Sequence, residues 1–449
     1  MRRQLCRTAA IMIAVILCAC VSACDLSEYI RFIAPTAKGI PEDNSLEYAQ
    51  IGQNGYAASP YYTPTVSRYS YHALNDGQRE LYDGLLKNAY QVYPEKDDRY
   101  TYRMPQVIVD GNQLNKADIR LTVRALMDDN PYFFWLSQTY TILVDPESDY
   151  TAVQLYSEFE PTELKQMKAR LDEVIGGFLA GVDDGLSEYE REKLVHDYVI
   201  GRCEYDDADL KRTEISPENI KSHSVYGALA EQLCVCEGYG AAVQLLLNEL
   251  GVDCVTLTGM AFDRTRGQGQ KDASLHLWNA VKIAGDWYHL DATWDDQEEE
   301  IQRYNYFNLN DEMLFADHTL SQTPDLIGEK TIEEKGTDEL NLFIPSCQQT
   351  RCHYYIYECA HLTDYEADAL KEALYSAAAD KEKYFTFYIE PELDYQNTVD
   401  ALFTYLPQYF FGYIEEVNGR LTDYEIDGSN LTYYTDASRR SVAVVLNYY

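Results

Sequence analysis

The stretches EQLCVCEGYGAAVQLLLNELG, residues 231–251, and HLWNAVKIAGDWYHLDATWD, residues 276–295, decide how this chain folds. The first stretch has apolar residues at helical spacing, and Gly251 follows them as a typical helix end. The second stretch has β-forming residues on both sides of Ala284-Gly285, which predicts two strands joined by a tight turn. A helix is therefore followed by a β-hairpin, with a polar insert between them.

Cys236 stands where the predicted helix begins. A helix N-terminus has free N–H groups and the positive end of the helix dipole, and both favour a thiolate over a thiol. We expect Gly238 and Gly240 to leave room for a substrate backbone beside this cysteine. Cys236 is thus a candidate nucleophile.

His276 and Asp291 fall on one face of the predicted hairpin. With a two-residue turn at Ala284-Gly285 their positions are offset by two, and an even offset makes them diagonal neighbours on the same face. The carboxylate can then reach the imidazole. Ala284 is not ideal for a type I′ turn, which needs positive φ, and a three-residue turn would place the two side chains on opposite faces.

A cysteine, a histidine and an aspartate are the side chains of acyl transfer through a thioester. Cys236 would attack a carboxamide or peptide carbonyl, His276 would take and return the proton, and Asp291 would orient the imidazole and stabilise its cation. An oxyanion hole needs the Cys236 backbone N–H and a second donor, for which Gln232 and Tyr226 are both candidates.

Other residues near the hairpin remain alternatives. His289 could face the same side as Asp291 and compete with His276 as the base. Trp278 is expected in the hairpin core, at the wall of the cleft. His196, which falls beside polar residues of a predicted helix, is expected at the surface.

Three motifs in this order resemble the core motifs of the bacterial transglutaminase-like superfamily, which is similar in kind to papain-like cysteine proteases. They are CEGY (236–239), HLWN (276–279) and YHLDATW (288–294), and flanks extend the resemblance over about 186–319. The resemblance implies an α+β core in which the helix bearing the cysteine packs on an antiparallel sheet. It also implies Cys236 as nucleophile, His276 as base and Asp291 as orienting residue. The family usually lacks a cysteine at the position of Cys234, so a back-up or regulatory thiol stays open there.

The length of 449 residues predicts several globular units. An N-terminal α/β accessory region precedes the transglutaminase-like core, and a small α+β domain follows it, with CHYYIYEC (352–359) and YFFGYIEEV (409–417) among its predicted strands. The predicted segments are 1–24, a signal peptide; 25–71, a tether; 72–162, the accessory domain; 163–326, the catalytic domain; and 340–449, the C-terminal domain.

The N-terminus MRRQLCRTAAIMIAVILCACVSAC has a basic head and a short apolar run that ends in small residues before Cys24. This pattern is typical of a secretion signal, and VSAC resembles a bacterial lipobox. We expect diacylation of Cys24 and a protein that is lipid-anchored to the bacterial cell membrane on its extracytoplasmic side. An ordinary cleaved signal and an uncleaved anchor are the alternatives.

The formal charge of −37 disfavours binding to nucleic acid, because phosphate backbones are repelled. We expect no cofactor and no metal, since the cysteines and histidines between Cys347 and His361 lack a CxxC pair and the acidic run 295–300 lacks EF-hand spacing. The expected partners are the membrane and a protein, peptide or cell-wall substrate, and the chain is expected to be a monomer.

Three functions compete on these grounds. The first is an extracytoplasmic cysteine peptidase or amidase that acts through a thioester. The second is a glutamine transglutaminase or deamidase, in which an amine or water resolves the same thioester. The third is a non-catalytic module that binds proteins or glycans at the cell surface.

Overall fold

The computed structural model of the protein describes residues 27–32, 49–51, 68–97, 101–110, 114–144, 150–209, 217–263, 268–296, 303–321 and 341–449. Cys24 and the rest of the predicted signal lie outside these residues. Among the helices in these ranges, none is long and apolar enough to cross a membrane. The chain forms two compact units: the first runs to Thr293 and includes Phe315–Ser346, and the second comprises Trp294–Leu314 and Cys347–Tyr449.

Helices alternate with mostly short strands along the described chain. The N-terminal part contains β1 (Ser27–Phe32), β2 (Ala49–Gln50), α1 (Tyr69–Ala73), α2 (Asp76–Asn88), β3 (Gln91–Val92), β4 (Tyr102–Arg103), β5 (Val107–Asp110), α3 (Lys116–Asp129), β6 (Thr139–Val144), β7 (Tyr150–Gln154) and β8 (Tyr156–Ser157). Next come α4 (Pro161–Leu179), α5 (Glu188–Ile200), β9 (Glu204–Tyr205), α6 (Pro217–Ser222), a π-helical turn (Gly227–Glu231), β10 (Leu233–Cys234), α7 (Cys236–Glu249), β11 (Cys254–Ala261), a 3₁₀ turn (Gln270–Asp272), β12 (Ser274–Ile283) and β13 (Asp286–Leu290). Then follow α8 (Ala292–Asp295), β14 (Phe307–Leu309), α9 (Asp311–Leu314) and β15 (His318–Leu320). The last part contains α10 (Tyr354–Tyr357), β16 (Ala360–Leu362), α11 (Asp368–Ala379), β17 (Tyr384–Ile389), α12 (Tyr395–Val399), a π-helical turn (Asp400–Thr404), α13 (Tyr409–Asn418), β18 (Thr432–Asp436) and β19 (Ser441–Val445).

Two sheets organise the first unit. In the N-terminal sheet the strands run in the order β1-β6-β7-β5, and β1 is parallel to β6. In the second sheet the strands of this unit run β13-β12-β11-β15, and each of these neighbouring pairs is antiparallel. Helix α7 packs on β12 and β11, and α5 also packs against α7. The expected α+β core, a cysteine-bearing helix on an antiparallel sheet, is confirmed.

The turn between β12 and β13 has two residues, as predicted. Ile283 pairs with Asp286, so that Ala284 and Gly285 alone form the turn, and their φ values are 50° and 89°. Positive φ at both central positions is what a type I′ turn requires. The backbone twist of this turn matches the twist of the two strands. The two-residue turn fixes the pairing register, and this register places His276 and Asp291 on one face.

The two glycines of α7 have a different role from the expected one. A Cβ at Gly240 would overlap the Leu277 side chain of β12, and a Cβ at Gly238 would overlap Cys234. The space beside each glycine is therefore filled by the protein's own side chains. The expectation that they leave room for a substrate was wrong: they allow α7 to approach its neighbours closely.

His196 on α5 is buried, so its expected place at the surface was wrong. Its Nδ1 lies 3.1 Å from Asp197 Oδ1, and the neighbouring Val195 and Val199 are also buried. Because α5 packs against α7, the face that carries His196 is covered despite its polar neighbours in sequence.

The second unit has its own sheet, in the order β16-β17-β19-β18. Two of its predicted strands are helices: residues 354–357 form α10, and residues 409–418 form α13. In α13 the buried side chains are Phe410, Tyr413, Ile414 and Val417. Their spacing of three and four residues is helical, and it prevails over the β-propensity of the aromatic residues.

The compact units divide the chain differently from the predicted domains. The predicted accessory domain and most of the predicted catalytic domain lie in one unit, and residues 294–314 belong with 347–449, although the predicted catalytic domain runs to 326. Backbone and ring contacts join the two segments: Asp311 N–H donates to the Cys347 carbonyl at 2.7 Å, and His353 Nδ1 lies 3.0 Å from the Phe307 carbonyl. In addition, Ser27–Phe32, within the predicted tether, forms β1 beside β6.

Candidate active site

His276 and Asp291 meet on the hairpin. His276 Nε2 lies 2.7 Å from Asp291 Oδ2, and the two residues are 7% and 1% exposed. The other oxygen of Asp291 accepts from the Thr293 backbone N–H at 3.0 Å. Burial alone would raise the pKa of Asp291, but the charges and hydrogen bonds of His276 and His318 hold it well below its usual range. Asp291 is therefore an ionised, fixed partner for the imidazole.

Cys236 is the first residue of α7, which has no side-chain cap at Val235. The thiol is buried, with the residue 8% exposed, and it donates to Glu237 Oε2 at 3.1 Å. It also contacts the backbone N–H of Leu277, the residue after His276 on β12. The nucleophile candidate is thus brought next to the strand that carries the base candidate.

The pKa of the Cys236 thiol is shifted in the direction opposite to the one expected at a helix start. Burial, and then the charge and hydrogen bond of Glu237, raise the pKa of the thiol well above its usual value. The contact with Leu277 N–H acts in the other direction but does not prevail. A helix terminus offers only a partial charge, and in this site desolvation and a full carboxylate charge are stronger.

Glu237 ends a second hydrogen-bonded chain that the sequence did not indicate. His223 Nδ1 lies 3.2 Å from Glu237 Oε1, and His223 Nε2 lies 2.7 Å from Asp209 Oδ2. Burial opposes ionisation of Glu237, but His223 and the Cys236 thiol lower its pKa to about 2. Glu237 was visible in the CEGY motif without an assigned role, whereas His223 had no signal in the sequence.

His318 is the second residue that sequence reasoning missed, although it lies in a flank of the resemblance. It is fully buried, its Nε2 lies 3.2 Å from Asp291 Oδ2, and its Nδ1 lies 2.7 Å from Asp317 Oδ1. Burial lowers the pKa of His318, but the two carboxylates outweigh it and raise the pKa above its usual value. Asp291 is therefore shared by two histidines.

Trp278 packs behind the catalytic histidine candidate. Its ring is nearly parallel to that of His276 at 6.2 Å and meets the His318 ring edge-on at 5.2 Å. Its Nε1–H donates to His289 Nδ1 at 3.2 Å. His289 is thus engaged with Trp278, while Asp291 is engaged with His276 and His318, which favours His276 as the base.

The two oxyanion-hole candidates lie in different settings. Gln232 has an exposed side chain and a left-handed backbone, with φ of 63°, and its carbonyl accepts from Glu204 N–H at 2.8 Å. Tyr226 is buried and stacks on Phe134 with ring centroids 4.9 Å apart. Cys236 has its own backbone N–H at the helix start, which is the donor that the chemistry needs first.

A cleft is lined by His276, His223 and Glu237, the residue after Cys236, and by segment 127–138. Most of the side chains that this segment contributes are apolar, namely Met127, Pro131, Phe133, Phe134 and Leu136, and the polar ones are Asp128, Asn130 and Gln138. The cleft therefore joins polar groups suited to acid–base chemistry to an apolar surface that can hold a side chain.

The described side chains of the site are arranged as hydrogen-bond partners. The possible metal-ligand atoms of His276, Asp291 and His318 lie within 4.8 Å of one another. Each histidine is hydrogen-bonded to the Asp291 carboxylate. We assign no metal ligand among them.

Comparisons with known proteins bear on the same part of the chain. It is 26% identical over 157 residues to the kyphoscoliosis peptidase of Mus musculus and 26% identical over 156 residues to that of Homo sapiens, covering 34% of this chain and 22% of each peptidase. A solved structure described as that of a TGase is 13% identical, with a TM-score of 0.24, over 36% of this chain and 52% of that one. Residues 178–292 match the sequence profile of the Transglutaminase-like superfamily. These residues hold Cys236 on its helix and His276 and Asp291 on their hairpin, and they form a domain of the transglutaminase-like superfamily.

Proposed function

We propose that the protein is a cysteine peptidase or amidase that forms a thioester on Cys236. The observation that carries this proposal is the 2.7 Å bond between His276 Nε2 and the buried Asp291 carboxylate, beside the strand position that contacts the Cys236 thiol. A buried, ionised aspartate fixes the tautomer and orientation of a general base. This arrangement suits proton transfer from a thiol better than it suits a purely structural hairpin.

The chemistry follows from the protonation states. Cys236 is a thiol at rest, so the proton leaves Sγ as sulfur attacks the substrate carbonyl, and His276 receives it. Asp291 stabilises the resulting imidazolium. The tetrahedral intermediate then expels the amine, which takes that proton from His276, and leaves a thioester on Cys236. Water, deprotonated by His276, hydrolyses the thioester and restores the thiol.

The cleft indicates the chemical class of the substrate. Phe133, Phe134 and Leu136 give one wall an apolar surface, and Gln138 and Gln244 add neutral polar groups. The acidic groups of the cleft are already paired, Asp128 with Arg124 at 2.7 Å and Glu237 with His223. A peptide or acylated amine with an apolar or uncharged side chain beside the scissile amide fits this lining best.

One observation favours a second candidate, a surface module that binds peptides without cleaving them. The Cys236 thiol is held by Glu237, and its raised pKa leaves little thiolate at neutral pH. An unreactive thiol would be acceptable in a binding protein. The apolar cleft would then hold an intact peptide.

Peptide turnover distinguishes these candidates. We expect the protein to cleave members of a peptide library with apolar residues beside the scissile bond, and the Cys236→Ala variant to bind them without cleavage. Incorporation of an amine into glutamine peptides, with no cleavage, would instead favour transglutaminase chemistry on the same thioester. Binding without either reaction, equal in both proteins, would contradict the enzyme and favour the binding module.

We further propose that the protein is anchored by lipid at Cys24 and acts outside the cytoplasm. The basic head, the apolar run and the VSAC sequence of the N-terminus support this proposal. Mass spectrometry of the mature N-terminus is expected to find a diacylated Cys24. An unmodified terminus at another residue would contradict it.

A further inference from the structure

The Asp291 carboxylate serves two imidazoles through one oxygen. Oδ2 lies 2.7 Å from His276 Nε2 and 3.2 Å from His318 Nε2. His318 is the first residue of β15, which pairs with the last residues of β11, and it is fully buried. A second carboxylate completes the chain, since Asp317 Oδ1 lies 2.7 Å from the other ring nitrogen of His318.

The proton positions on His318 follow from this geometry. A neutral imidazole has one N–H donor and one acceptor nitrogen, whereas ionised carboxylates only accept. Both ring nitrogens of His318 face carboxylate oxygens, so a neutral ring would point one lone pair at an acceptor. The imidazolium form donates at both ends and satisfies Asp291 and Asp317 together.

This cation lies close to the base candidate. The ring centroids of His318 and His276 are 5.5 Å apart, and Trp278 lies beside both rings. The ionisable groups near the pair include Asp291 after the hairpin, Asp317 before β15, Cys236 and Glu237 at the start of α7, and His223 and Asp128 along the cleft. The two rings are therefore held by one carboxylate oxygen and by one indole ring.

We propose that His318, held as an imidazolium by Asp317, is a positioning residue that fixes the Asp291 carboxylate and through it orients the His276 imidazole towards the thiol proton. The inference rests on the proposed function, in which His276 is the base for Cys236. His318 touches neither the thiol nor the carbonyl in this role. It acts through Asp291.

The test is the rate of Cys236 alkylation by iodoacetamide at pH 7, followed by peptide mass spectrometry, which needs no substrate. Four proteins are compared: the wild type, His318→Gln, His276→Asn, and the variant that carries both changes. His318→Gln alone is expected to slow alkylation about tenfold, because the imidazole of His276 is less well oriented, and it is expected to have no further effect when His276 is already Asn. A role in packing alone would change the rate by the same factor in both backgrounds.

Two further variants make the result decisive. His318→Gln leaves Asp317 buried without its His318 partner, so the double variant His318→Gln, Asp317→Asn is measured too, and its alkylation is also expected to be slower than that of the wild type. His196→Gln, which removes another buried histidine bonded to an aspartate, is expected to leave the alkylation rate unchanged.

The outcomes separate this inference from the proposed function. If His276→Asn slows alkylation but the effect of a folded His318 variant is absent or equal in both backgrounds, the role of His318 alone is overturned. Equal rates in the wild type and His276→Asn would overturn His276 as the base, and the inference with it. If His318→Gln does not fold, as judged by circular dichroism, His318→Gln, Asp317→Asn in the two backgrounds decides.

Discussion

At the scale of single residues, two hydrogen-bonded chains end beside one thiol. Asp209, His223 and Glu237 form the first, and the Glu237 carboxylate accepts a hydrogen bond from the Cys236 thiol. His276 and Asp291 begin the second, one residue away from the Leu277 N–H that contacts the same sulfur. Glu237 stabilises the protonated thiol of Cys236. His276, as the base, therefore has to remove a proton that is hydrogen-bonded to Glu237.

Glu237→Gln should make the thiol more reactive. Removal of the carboxylate charge removes the largest effect that raises the pKa of Cys236 after burial itself. We expect iodoacetamide to label Cys236 about tenfold faster at pH 7, equivalent to a pKa lower by about one unit. Glu231→Gln, which changes an exposed glutamate paired with Lys221 at 3.4 Å, is the control. Slower labelling in Glu237→Gln would show that Glu237 acts as a base instead.

Glu237 also contributes to the stability of the fold at acid pH. Its pKa is lowered from 4.5 to about 2 in the folded protein, so its contribution is present above about pH 4.5 and is lost as the pH falls towards 2. The free energy of unfolding of Glu237→Gln should therefore fall less steeply than that of the wild type over this interval. Chemical denaturation at several pH values measures the slope, and equal slopes would contradict the pKa.

At the scale of elements, the β12–β13 hairpin holds the base and its aspartate in register. The first residue of its turn is Ala284, with φ of 50°, a conformation that is strained for any residue with a Cβ atom. Ala284 is kept in place by its N–H, which donates to Glu188 Oε2 at 2.6 Å. The geometry of the site therefore depends on a turn with an unfavourable residue.

Ala284→Gly should stabilise the protein by about 1 kcal/mol, because glycine adopts positive φ without strain. The N–H donor to Glu188 remains, so the rate of Cys236 alkylation should not change. Gly285→Ala is the matched control: at φ of 89° it should destabilise the protein by about the same amount. Thermal and chemical unfolding measure both, and a destabilised Ala284→Gly variant would contradict the assigned turn.

The hairpin was predictable because strand side chains alternate with a period of two and the turn residues mark its centre. The positions of His276 and Asp291 follow from counting along the chain. His318 was not predictable in this way: it reaches Asp291 because β15 pairs with β11, and this pairing has no local signal. The position of His223 between Asp209 and Glu237 likewise depends on the path of the chain before α7, and it has no local signal in the sequence.

The error at residues 409–418 has a different cause. Aromatic and β-branched residues favoured a strand, but the apolar positions recur at three and four residues, as in a helix. Periodicity was the better guide there. Similarly, the position of Cys236 at a helix start was predictable, whereas the state of its thiol depends on burial and on Glu237, which only the structure reveals.

At the scale of the whole molecule, the two compact units are interleaved along the chain. The chain leaves the first unit after Thr293, returns at Phe315 and leaves again after Ser346. Segment 294–314 of the second unit is therefore inserted between β13 and β15 of the first. Contacts within the second unit hold it, including one from Arg439 to the Asn305 carbonyl.

A chain that ends at Ser346 should lose order in segment 294–314. Its partners Cys347, His353 and Arg439 are removed, so the backbone around Arg303 should become accessible. We expect trypsin to cut after Arg303 at least about tenfold faster than in the full-length protein, as local opening becomes easier by more than about 1.4 kcal/mol. Cleavage after Arg191, on α5 of the first unit, is the internal control, and equal rates at Arg303 would contradict the division.

Acylation of Cys236 by p-nitrophenyl acetate reports directly on a cysteine nucleophile activated by His276, with the acetyl group located by peptide mass spectrometry. In the wild-type protein at pH 7 the acetyl group should be found on Cys236, and it should be absent from that peptide in Cys236→Ala. His276→Asn should slow the reaction about a hundredfold, because a general base contributes at least that much. Equal rates in wild type and His276→Asn, or an acetyl group on Cys234 in place of Cys236, would contradict a cysteine nucleophile activated by His276 and Asp291.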